Sequence, residues 1–217
     1  VTAILPSFNA ASFIGATLAS LDAQTYPSLE ILVGDDGSSD GTPEILREWA
    51  ASRPHVRLIL RTSNMGWIDN CNDLMSKARG EYMFFAYHDD ELEPDYVASL
   101  VKALQSEPGA TLAYGHLERV EADGTTTVFT GNRTGTMATP FKRAAAMIVG
   151  TQWHVANYGV FRAEAASRVG GLKRNEAGEF AADFPWILNM MLLGRFVAVP
   201  AKLCTKRIRG ENLSRSW

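Results

Sequence analysis

Short apolar runs that alternate with helix-length segments constrain the fold of this chain more than any other feature. Four such runs have strand length, at residues 2–5, 29–33, 56–60 and 82–86. The segments between them repeat apolar residues at three- and four-residue intervals, which is typical of amphipathic helices. Strands that are apolar on both faces and joined by helices form a mostly parallel sheet covered on both sides. The sequence therefore predicts an α/β fold whose ligands lie beyond the carboxyl ends of the strands.

The second half of the chain departs from this alternation. A helix is predicted from Pro94 to about residue 104, and a hairpin at 117–129 has Asp123-Gly124 as its turn. The remaining predictions are a strand at 111–114, a loop at 131–139, a helix at 141–149, a strand at 155–161, a helix at 184–193 and a final strand at 196–199.

The charge balance disfavours several classes of partner. The chain has 217 residues, with 21 Lys and Arg against 24 Asp and Glu and a net charge of −3, so neither nucleic acid nor an anionic membrane is predicted as the main partner. Cys71 and Cys204 lack metal-ligand spacing, which argues against a disulfide framework or zinc site and favours a reducing cytoplasm. No apolar stretch approaches the roughly 18 residues of a membrane-spanning helix. The chain begins inside a predicted strand, which leaves room for a longer natural protein.

A polar loop follows the second predicted strand and has the sequence Asp35-Asp36-Gly37-Ser38-Ser39-Asp40-Gly41-Thr42. Pro43 is placed to begin the next helix. For residues 38–42 we favour helix capping and turn formation, because caps are commoner than ligand contacts. Two adjacent acids that end an apolar strand need donors, so for Asp35 and Asp36 we favour contacts to a ligand such as a uracil-like base and a ribose.

A second acidic cluster, His88-Asp89-Asp90-Glu91, follows the fourth predicted strand. Mg²⁺ and Mn²⁺ commonly take one or two carboxylates, completed by phosphate oxygens and water. Carboxylates beside a diphosphate require a bridging cation, so the cluster predicts a divalent-metal site at Asp89 or Asp90. A solvated acidic loop that caps the helix after Pro94 is the alternative interpretation.

A third acid, Asp183, precedes the apolar helix predicted at 184–193. An acid in this position often only complements the helix dipole, but a carboxylate is also a suitable general base for a sugar hydroxyl. The sequence lacks a Gly-Lys-Ser/Thr phosphate loop, a Gly-x-Gly-x-x-Gly turn and a Gly-x-Ser-x-Gly elbow. A P-loop nucleotidase, a dinucleotide-binding dehydrogenase and an α/β-hydrolase are therefore disfavoured.

Several motifs occur in a fixed order along nearly the whole chain. They are Pro6-Ser7-Phe8-Asn9, Asp35 to Thr42, Asn64-Met65-Gly66, Gly80-Glu81-Tyr82, Asp89-Asp90 with Pro94, Gly170-Gly171 and Asp183. This combination resembles the inverting family-two glycosyltransferases. The resemblance implies the GT-A fold, a mostly parallel Rossmann-like sheet flanked by helices with a smaller mixed acceptor-side subregion. Residues 1–115 would be the nucleotide-sugar-binding half, and residues 116–217 the acceptor-binding and catalytic half of the same domain.

The resemblance also implies a reaction. A sugar would pass from a nucleoside diphosphate donor, linked to UDP, GDP or dTDP, to an acceptor hydroxyl with inversion at the anomeric carbon. The expected acceptor is a glycan or a lipid-linked glycan, in cell-surface polysaccharide or glycan biosynthesis. The expected location is the cytoplasm, with association at the inner face of the membrane through segments outside this sequence.

By the same resemblance, three groups of residues form the site. The nucleotide-binding residues are Pro6, Phe8, Asn9, Asp35, Asp36, Asn64, Gly66 and Asp89. Asp89 or Asp90 would hold Mg²⁺ or Mn²⁺ against the departing diphosphate, and Asp183 would take the acceptor proton.

The chain departs from the family pattern at four places, one of which is Asn70-Cys71-Asn72, where many members carry an Arg. Tyr87 stands where the first acid of the metal motif is usual, Ala182 replaces an acid before Asp183, and Arg209 stands where a late His is usual. Arg207 or Arg209 is a hypothetical clamp for the diphosphate.

Other functions fit parts of the sequence. A degenerate sugar-nucleotide or glycan-binding module would keep the fold without turnover, although Asp89, Asp90 and Asp183 together favour catalysis. A nucleotidyltransferase would need a Gly-rich loop with Arg and Lys after the first strand, which this chain lacks. For Trp153 and Tyr158, stacking on a sugar face and packing in the core are both open.

Overall fold

The computed structural model describes residues 1–131, 137, 139–150, 153–176, 178–179 and 181–208. The strands within these ranges are β1 (Thr2–Ser7), β2 (Glu30–Asp35), β3 (Val56–Leu60), β4 (Tyr82–Phe85), β5 (Asp90–Leu92), β6 (Ala110–Val120), β7 (Thr126–Phe129), β8 (Gly159–Arg162) and β9 (Arg195–Arg207). The helices are α1 (Ile14–Asp22), α2 (Thr42–Ala51), α3 (Trp67–Lys77), α4 (Tyr96–Ser106), α5 (Pro140–Gly150), α6 (Trp153–Ala156), α7 (Ala163–Val169) and α8 (Asp183–Leu193).

These strands form one sheet in the order β3-β2-β1-β4-β8-β6-β9-β5, with β7 paired to β6. β1 pairs in parallel with β2 and β4, and β2 with β3, because each connection contains a helix that crosses over the sheet. β8 runs antiparallel to β4 and β6, whereas β9 runs parallel to β6 and antiparallel to β5. The predicted α/β fold with a mostly parallel central sheet is confirmed.

The central strand β1 is buried along its whole length, although it contains Pro6. A proline interrupts a sheet unless its missing N–H lies where no partner strand is present. The pairing of β1 with β4 ends at Ile4, and the Ala86 N–H that follows β4 donates to the Ile4 carbonyl. Pro6 therefore lies beyond the β4 pairing, at the carboxyl edge where a ligand site is expected.

The predicted boundary at residues 115 and 116 falls inside β6, and β8 lies between β4 and β6 in the sheet. Trp186 of α8 packs edge-on against Phe85 of β4 and Phe161 of β8, with ring centroids 5.8 and 5.0 Å away. The two predicted halves thus share one sheet and one core. This packing fixes the start of α8 near the carboxyl end of β4.

Most elements predicted from the sequence are confirmed, including the hairpin formed by β6 and β7, in which Gly124 has φ +84°. The predicted strand at 155–161 is wrong in its first part. Residues 153–156 form the short helix α6, and the strand begins at Gly159. A Cβ at Gly159 would lie 2.6 Å from the Ala113 carbonyl oxygen, so the close approach to β6 requires glycine there.

Two further predictions need correction. The final strand extends from Arg195 to Arg207 rather than over residues 196–199, because a register shift between β6 and β9 accommodates Pro200 within the strand. The acidic segment after β4 is not a loop throughout. Its last part forms β5, which pairs with the extended end of β9.

The predicted loop at 131–139 lies largely outside the described residues, as does the region of Arg209. None of the helices within the described ranges is both long enough and apolar enough to span a bilayer.

Candidate active site

Two loops at the carboxyl edge of the sheet are bonded to each other. Asn9, which follows β1, has a positive φ of 46°, a conformation that asparagine tolerates. Its backbone N–H donates to Ser38 Oγ at 2.9 Å, and its side-chain Oδ1 accepts from the Ser39 N–H at 2.9 Å. Asp40 accepts from the N–H groups of Ala11 and Thr42 at 3.0 Å each. Asp40 thus binds the first N–H of α2, which begins at Thr42 rather than Pro43, but the N-cap residue is Gly41 and no side chain makes a capping hydrogen bond there.

Asp35 and Asp36 are both buried, and protein donors already bind their carboxylates. Asp35 accepts from the Ser38 hydroxyl at 2.5 Å and the Ser38 N–H at 3.1 Å. Asp36 accepts from the N–H groups of Met65 and Gly66 at 3.0 Å each. Burial raises the pKa of Asp36, against these two hydrogen bonds and the nearby Arg61. The donors that this pair requires come from its own loops.

Gly66 connects the first acidic pair to α3. It has φ +92°, a conformation that favours glycine, and its N–H donates to Asn64 Oδ1 at 2.8 Å as well as to Asp36. Asn64 itself is exposed at the rim. The loops after β1, β2 and β3 are thus tied together at one edge, where the sequence predicts the nucleotide.

His88 joins the second acidic cluster to the loop that follows β1. This buried histidine accepts the Phe8 N–H at Nδ1 at 3.3 Å and packs edge-on against Phe13, with ring centroids 5.3 Å apart. Thr17 Oγ1 donates to the Asp90 carbonyl at 2.8 Å. The structure therefore brings Asp89 and Asp90 beside the Phe8 segment.

Asp90 lies on β5 opposite Lys206 on β9, with 4.0 Å between Lys206 Nζ and Asp90 Oδ1. Neither carboxylate oxygen of Asp90 has a hydrogen bond of ordinary geometry within the described part of the chain. Burial raises the pKa of Asp90 to about 8, while Lys206 opposes the increase, and the nearby Tyr158 hydroxyl lowers this pKa without completing a normal hydrogen bond. Asp89 is only partly buried.

These residues fit a divalent cation that a diphosphate would complete. Asp89 offers an accessible carboxylate next to the buried oxygens of Asp90, which lack a normal hydrogen bond from any described residue, and carboxylate oxygens are the ligands that Mg²⁺ and Mn²⁺ prefer. Within the described ranges, no three His, Cys, Asp or Glu side chains converge on one point. One or two carboxylates suffice when phosphate oxygens supply further ligands.

Asp183 is the first residue of α8, and its carboxylate Oδ2 accepts from Asn157 Nδ2 at 2.8 Å. The same amide nitrogen donates to the Tyr87 hydroxyl oxygen at 2.8 Å. Burial raises the pKa of Asp183, while the backbone N–H groups of Asp183 and Phe184 and the Lys206 ammonium oppose the increase. Tyr87, which immediately precedes His88 and the acidic pair, is therefore linked through Asn157 to the predicted base.

Sequence reasoning missed Asn157 and Lys206. A lone asparagine within the apolar run at 155–161 was an available signal, whereas Lys206 needed the correct length of β9. Tyr158 packs edge-on against Tyr87 at 5.6 Å, and the Lys206 ammonium lies 5.4 Å from the centre of its ring. Tyr158 therefore belongs to the wall of the site.

Arg207 lies on the other face of β9 from Lys206 and forms an ion pair with Glu91. The described residues thus place the Lys206 ammonium, and not the Arg207 guanidinium, beside Asp90, while Arg209 lies outside them. Glu91 and Arg207 line a groove of about 410 Å³ between α1, β5 and β9. Its charged side chains are paired with one another, and neither Asp90 nor Asp183 lines it.

Comparison with known proteins places the chain in a family. The profile described as Glycosyl transferase family 2 matches residues 2–171. The chain belongs to this family. It is 28% identical over 215 residues to chondroitin synthase of Escherichia coli and to hyaluronan synthase of Pasteurella multocida. Each of these two alignments covers 99% of this chain. An uncharacterized protein of Mycobacterium tuberculosis is 36% identical over 121 residues, or 54% of this chain.

This family-2 chain corresponds to only part of those relatives. It covers 30% of the chondroitin synthase, 21% of the hyaluronan synthase and 35% of the mycobacterial protein.

Solved structures share the fold. S. aureus TarS (residues 1–349) in complex with UDP-GlcNAc superimposes with a TM-score of 0.75 at 15% identity, covering 100% of this chain and 60% of TarS. A mannosyltransferase from Pyrobaculum calidifontis in complex with GDP-Man and Mn²⁺ gives a TM-score of 0.69 at 22% identity, covering 99% of this chain and 60% of that one. The family-2 chain therefore has the GT-A fold that the sequence motifs predict, and it shares this fold with both structures.

Proposed function

We propose that this chain is the catalytic unit of an inverting glycosyltransferase that moves a sugar from a nucleoside diphosphate to an acceptor hydroxyl. One observation carries the proposal. The Asn157 side chain donates hydrogen bonds to both Asp183 and Tyr87, and Tyr87 is two residues before Asp89 in the sequence. The predicted base and the predicted metal ligand are therefore held at the same end of β4. This arrangement suits a displacement in which an acceptor is activated on one side and a leaving group is stabilised on the other.

In the proposed reaction the acceptor oxygen attacks the anomeric carbon while the bond to the diphosphate oxygen breaks. Asp183 takes the proton of the acceptor hydroxyl as the new glycosidic bond forms. Its pKa, raised by burial, brings the carboxylate closer to the basicity that proton transfer requires. The diphosphate leaves with the electron pair of the broken bond, so negative charge grows at the end of the site that holds Lys206.

Asp89 would hold Mg²⁺ or Mn²⁺, and the buried Asp90 would lie next to it. A bound cation supplies charge neutralisation for the departing diphosphate. We assign the first ligand to Asp89 because it is accessible, whereas Asp90 is 2% exposed and faces Lys206. Lys206 adds a fixed positive charge beside both carboxylates.

The nucleotide would lie against the joined loops after β1, β2 and β3. Phe8 and Asn9 are partly exposed there, and Asn64 lies at the rim. Because Asp35 and Asp36 are buried and accept hydrogen bonds from their own loops, we assign them the role of fixing these loops beside the base and ribose. Pro6 and Gly66 shape the backbone of the same pocket.

The names and ligands of the similar proteins inform the choice of donor and acceptor. Chondroitin synthase and hyaluronan synthase are named for polysaccharide products, and the two solved neighbours hold different donors, UDP-GlcNAc and GDP-Man. We propose a glycan or lipid-linked acceptor in cell-surface polysaccharide biosynthesis. The donor is UDP-, GDP- or dTDP-linked.

The proposal is tested with a donor screen. The purified chain is incubated with UDP-GlcNAc, UDP-glucose, GDP-mannose or dTDP-glucose and Mn²⁺, with and without excess EDTA, and release of the nucleoside diphosphate is measured. We expect turnover of one donor class that EDTA abolishes, with inverted anomeric configuration by proton NMR. Tight binding of a donor with no turnover to water or to added oligosaccharides would instead indicate a binding module.

A further inference from the structure

Asn157 lies between α6 and β8 and is 7% exposed. Its side-chain nitrogen makes two hydrogen bonds, one to Asp183 Oδ2 and one to the Tyr87 hydroxyl, each 2.8 Å long. A primary amide has two N–H donors, so this pair of bonds uses both of them.

The orientation of the amide follows from its partners. An ionised carboxylate can only accept, so the nitrogen of Asn157 faces Asp183. Asn157 Oδ1 is then buried, without a hydrogen-bond partner in the described part of the chain. An unpaired buried acceptor destabilises a fold, and an apolar side chain of similar size would avoid that penalty. Packing alone therefore gives no reason for an asparagine at this position.

We propose that Asn157 is the positioning residue of the base Asp183, an inference that rests on the proposed function. The bond to Oδ2, with the backbone N–H groups at the start of α8, fixes the plane of the carboxylate toward the acceptor. Tyr87, at the position where the family pattern has an acid, holds the far side of the amide. A fixed carboxylate loses less rotational freedom when the acceptor proton is transferred.

Titratable groups from several elements interact electrostatically with Asp183. Tyr87 follows β4, Tyr158 follows α6, Lys206 belongs to β9, and Cys71 belongs to α3. Of these, only Tyr87 accepts a hydrogen bond from the Asn157 amide, so we assign Tyr87 as the second positioning residue.

The test compares Asn157→Ala, Asn157→Asp and Tyr87→Phe with the wild type, using the donor that the screen identifies. We expect Asn157→Ala to lower kcat by about 10- to 100-fold with little change in donor KM, since positioning partners of a functional group act in this range. The acidic limb of the kcat profile should move to higher pH, because the lost N–H stabilised the charged carboxylate. Asn157→Asp, which places two carboxylates together, should lose more, and Tyr87→Phe less.

Asn72 supplies a matched control. Its amide also makes two hydrogen bonds, to the carbonyl and the N–H of Leu172 at 2.9 and 2.8 Å, but it does not contact Asp183. Asn72→Ala should lower the unfolding temperature and leave the pH midpoint of kcat in place. UDP or GDP binding by calorimetry shows whether each variant keeps the nucleotide site.

The outcomes separate the two claims. An active wild type together with a folded Asn157→Ala variant of unchanged kcat and pH midpoint overturns the positioning role alone. If Asn157→Ala does not fold, the isosteric Asn157→Asp decides, and wild-type kcat in that variant overturns the role. A wild type that neither binds nucleotides nor turns over any donor overturns the proposed function, and the inference with it.

Discussion

Two pairs of adjacent aspartates end buried parallel strands, Asp35-Asp36 at β2 and Asp89-Asp90 after β4. In the first pair, the oxygens accept hydrogen bonds from Ser38 and from the backbone of residues 65 and 66. In the second, the oxygens of the buried Asp90 have no hydrogen bond among the described residues, and Asp89 is partly exposed. Two motifs that look alike in sequence thus have opposite states in the fold.

This difference indicates that the first aspartate pair stabilises the loops, whereas the second pair is available to bind a ligand. A buried carboxylate with donors stabilises the loops that supply them, whereas one without donors destabilises the fold. Local rules of stability are broken mainly where function requires it. We therefore expect changes at the first pair to affect folding, and changes around the second pair and Asp183 to affect ligand binding and turnover.

The largest expected effect is on turnover. Asp183→Asn keeps the size of the side chain and its bond from Asn157 but removes the base. We expect kcat to fall by about 10²–10⁴-fold, the usual contribution of a general base. Nucleotide affinity and the free energy of unfolding should change little. A variant that retains at least a third of wild-type kcat would contradict the assignment of Asp183.

The next effect tests the scaffold. Asp36→Ala removes a buried acceptor that holds the Met65 and Gly66 N–H groups, of which only the Gly66 N–H keeps a second acceptor, Asn64 Oδ1. We expect the free energy of unfolding in urea to fall by roughly 1–3 kcal/mol, since two hydrogen bonds to a buried carboxylate are lost. Asp89→Ala is the matched control from the other pair and should change stability by less than about 0.5 kcal/mol. Equal losses in both variants would remove the distinction.

The pH dependence of stability sharpens the comparison at Asp90. Its pKa is about 8 in the folded chain and near the ordinary value of 3.8 in the unfolded chain. The folded state therefore binds more protons between these values, so stability falls as the pH rises through this window. In metal-free buffer, Asp90→Asn should be more stable than wild type at pH 8 by roughly 1–3 kcal/mol and similar at pH 4. Parallel stability curves for the two proteins would contradict this account.

The smallest effect concerns the groove on the other face of β9. Arg207 pairs with Glu91 at a partly exposed position, and such ion pairs contribute little. Arg207→Gln should change the free energy of unfolding by less than about 1 kcal/mol and leave nucleotide affinity unchanged. Lys206→Gln, one residue earlier, should weaken nucleotide binding. The reverse ranking would return the diphosphate to Arg207.

The sequence predicts the parallel half of the fold well because each strand there is a continuous apolar run bounded by polar loops. It predicts β9 and β5 poorly for a long-range reason. β5 contains two acids and exists only because it pairs with the end of β9, which continues through Pro200 by a register shift. Periodicity along the chain cannot detect such pairing.

Long-range contacts also limit how much of the site can be predicted from the sequence. Sequence patterns predict that Asp36 and Asp89 follow strands and that Asp183 lies at the start of a helix, but they do not predict which of these carboxylates accept hydrogen bonds. The donors to Asp36 come from residues 65 and 66, and the amide on Asp183 comes from Asn157, 26 residues earlier. Which acid is satisfied is decided by contacts between loops that no local pattern encodes.

The most direct test of this account is calorimetric titration of the chain with UDP and with GDP, in Mn²⁺ and then in EDTA, for the wild type and Asp89→Asn. We predict that the wild type binds one nucleotide in Mn²⁺ and loses most of its affinity in EDTA, and that Asp89→Asn binds weakly under both conditions. Absence of nucleotide binding by the wild type, or Mn²⁺-dependent binding that survives Asp89→Asn unchanged, would contradict the assignment of the second aspartate pair as the ligand site.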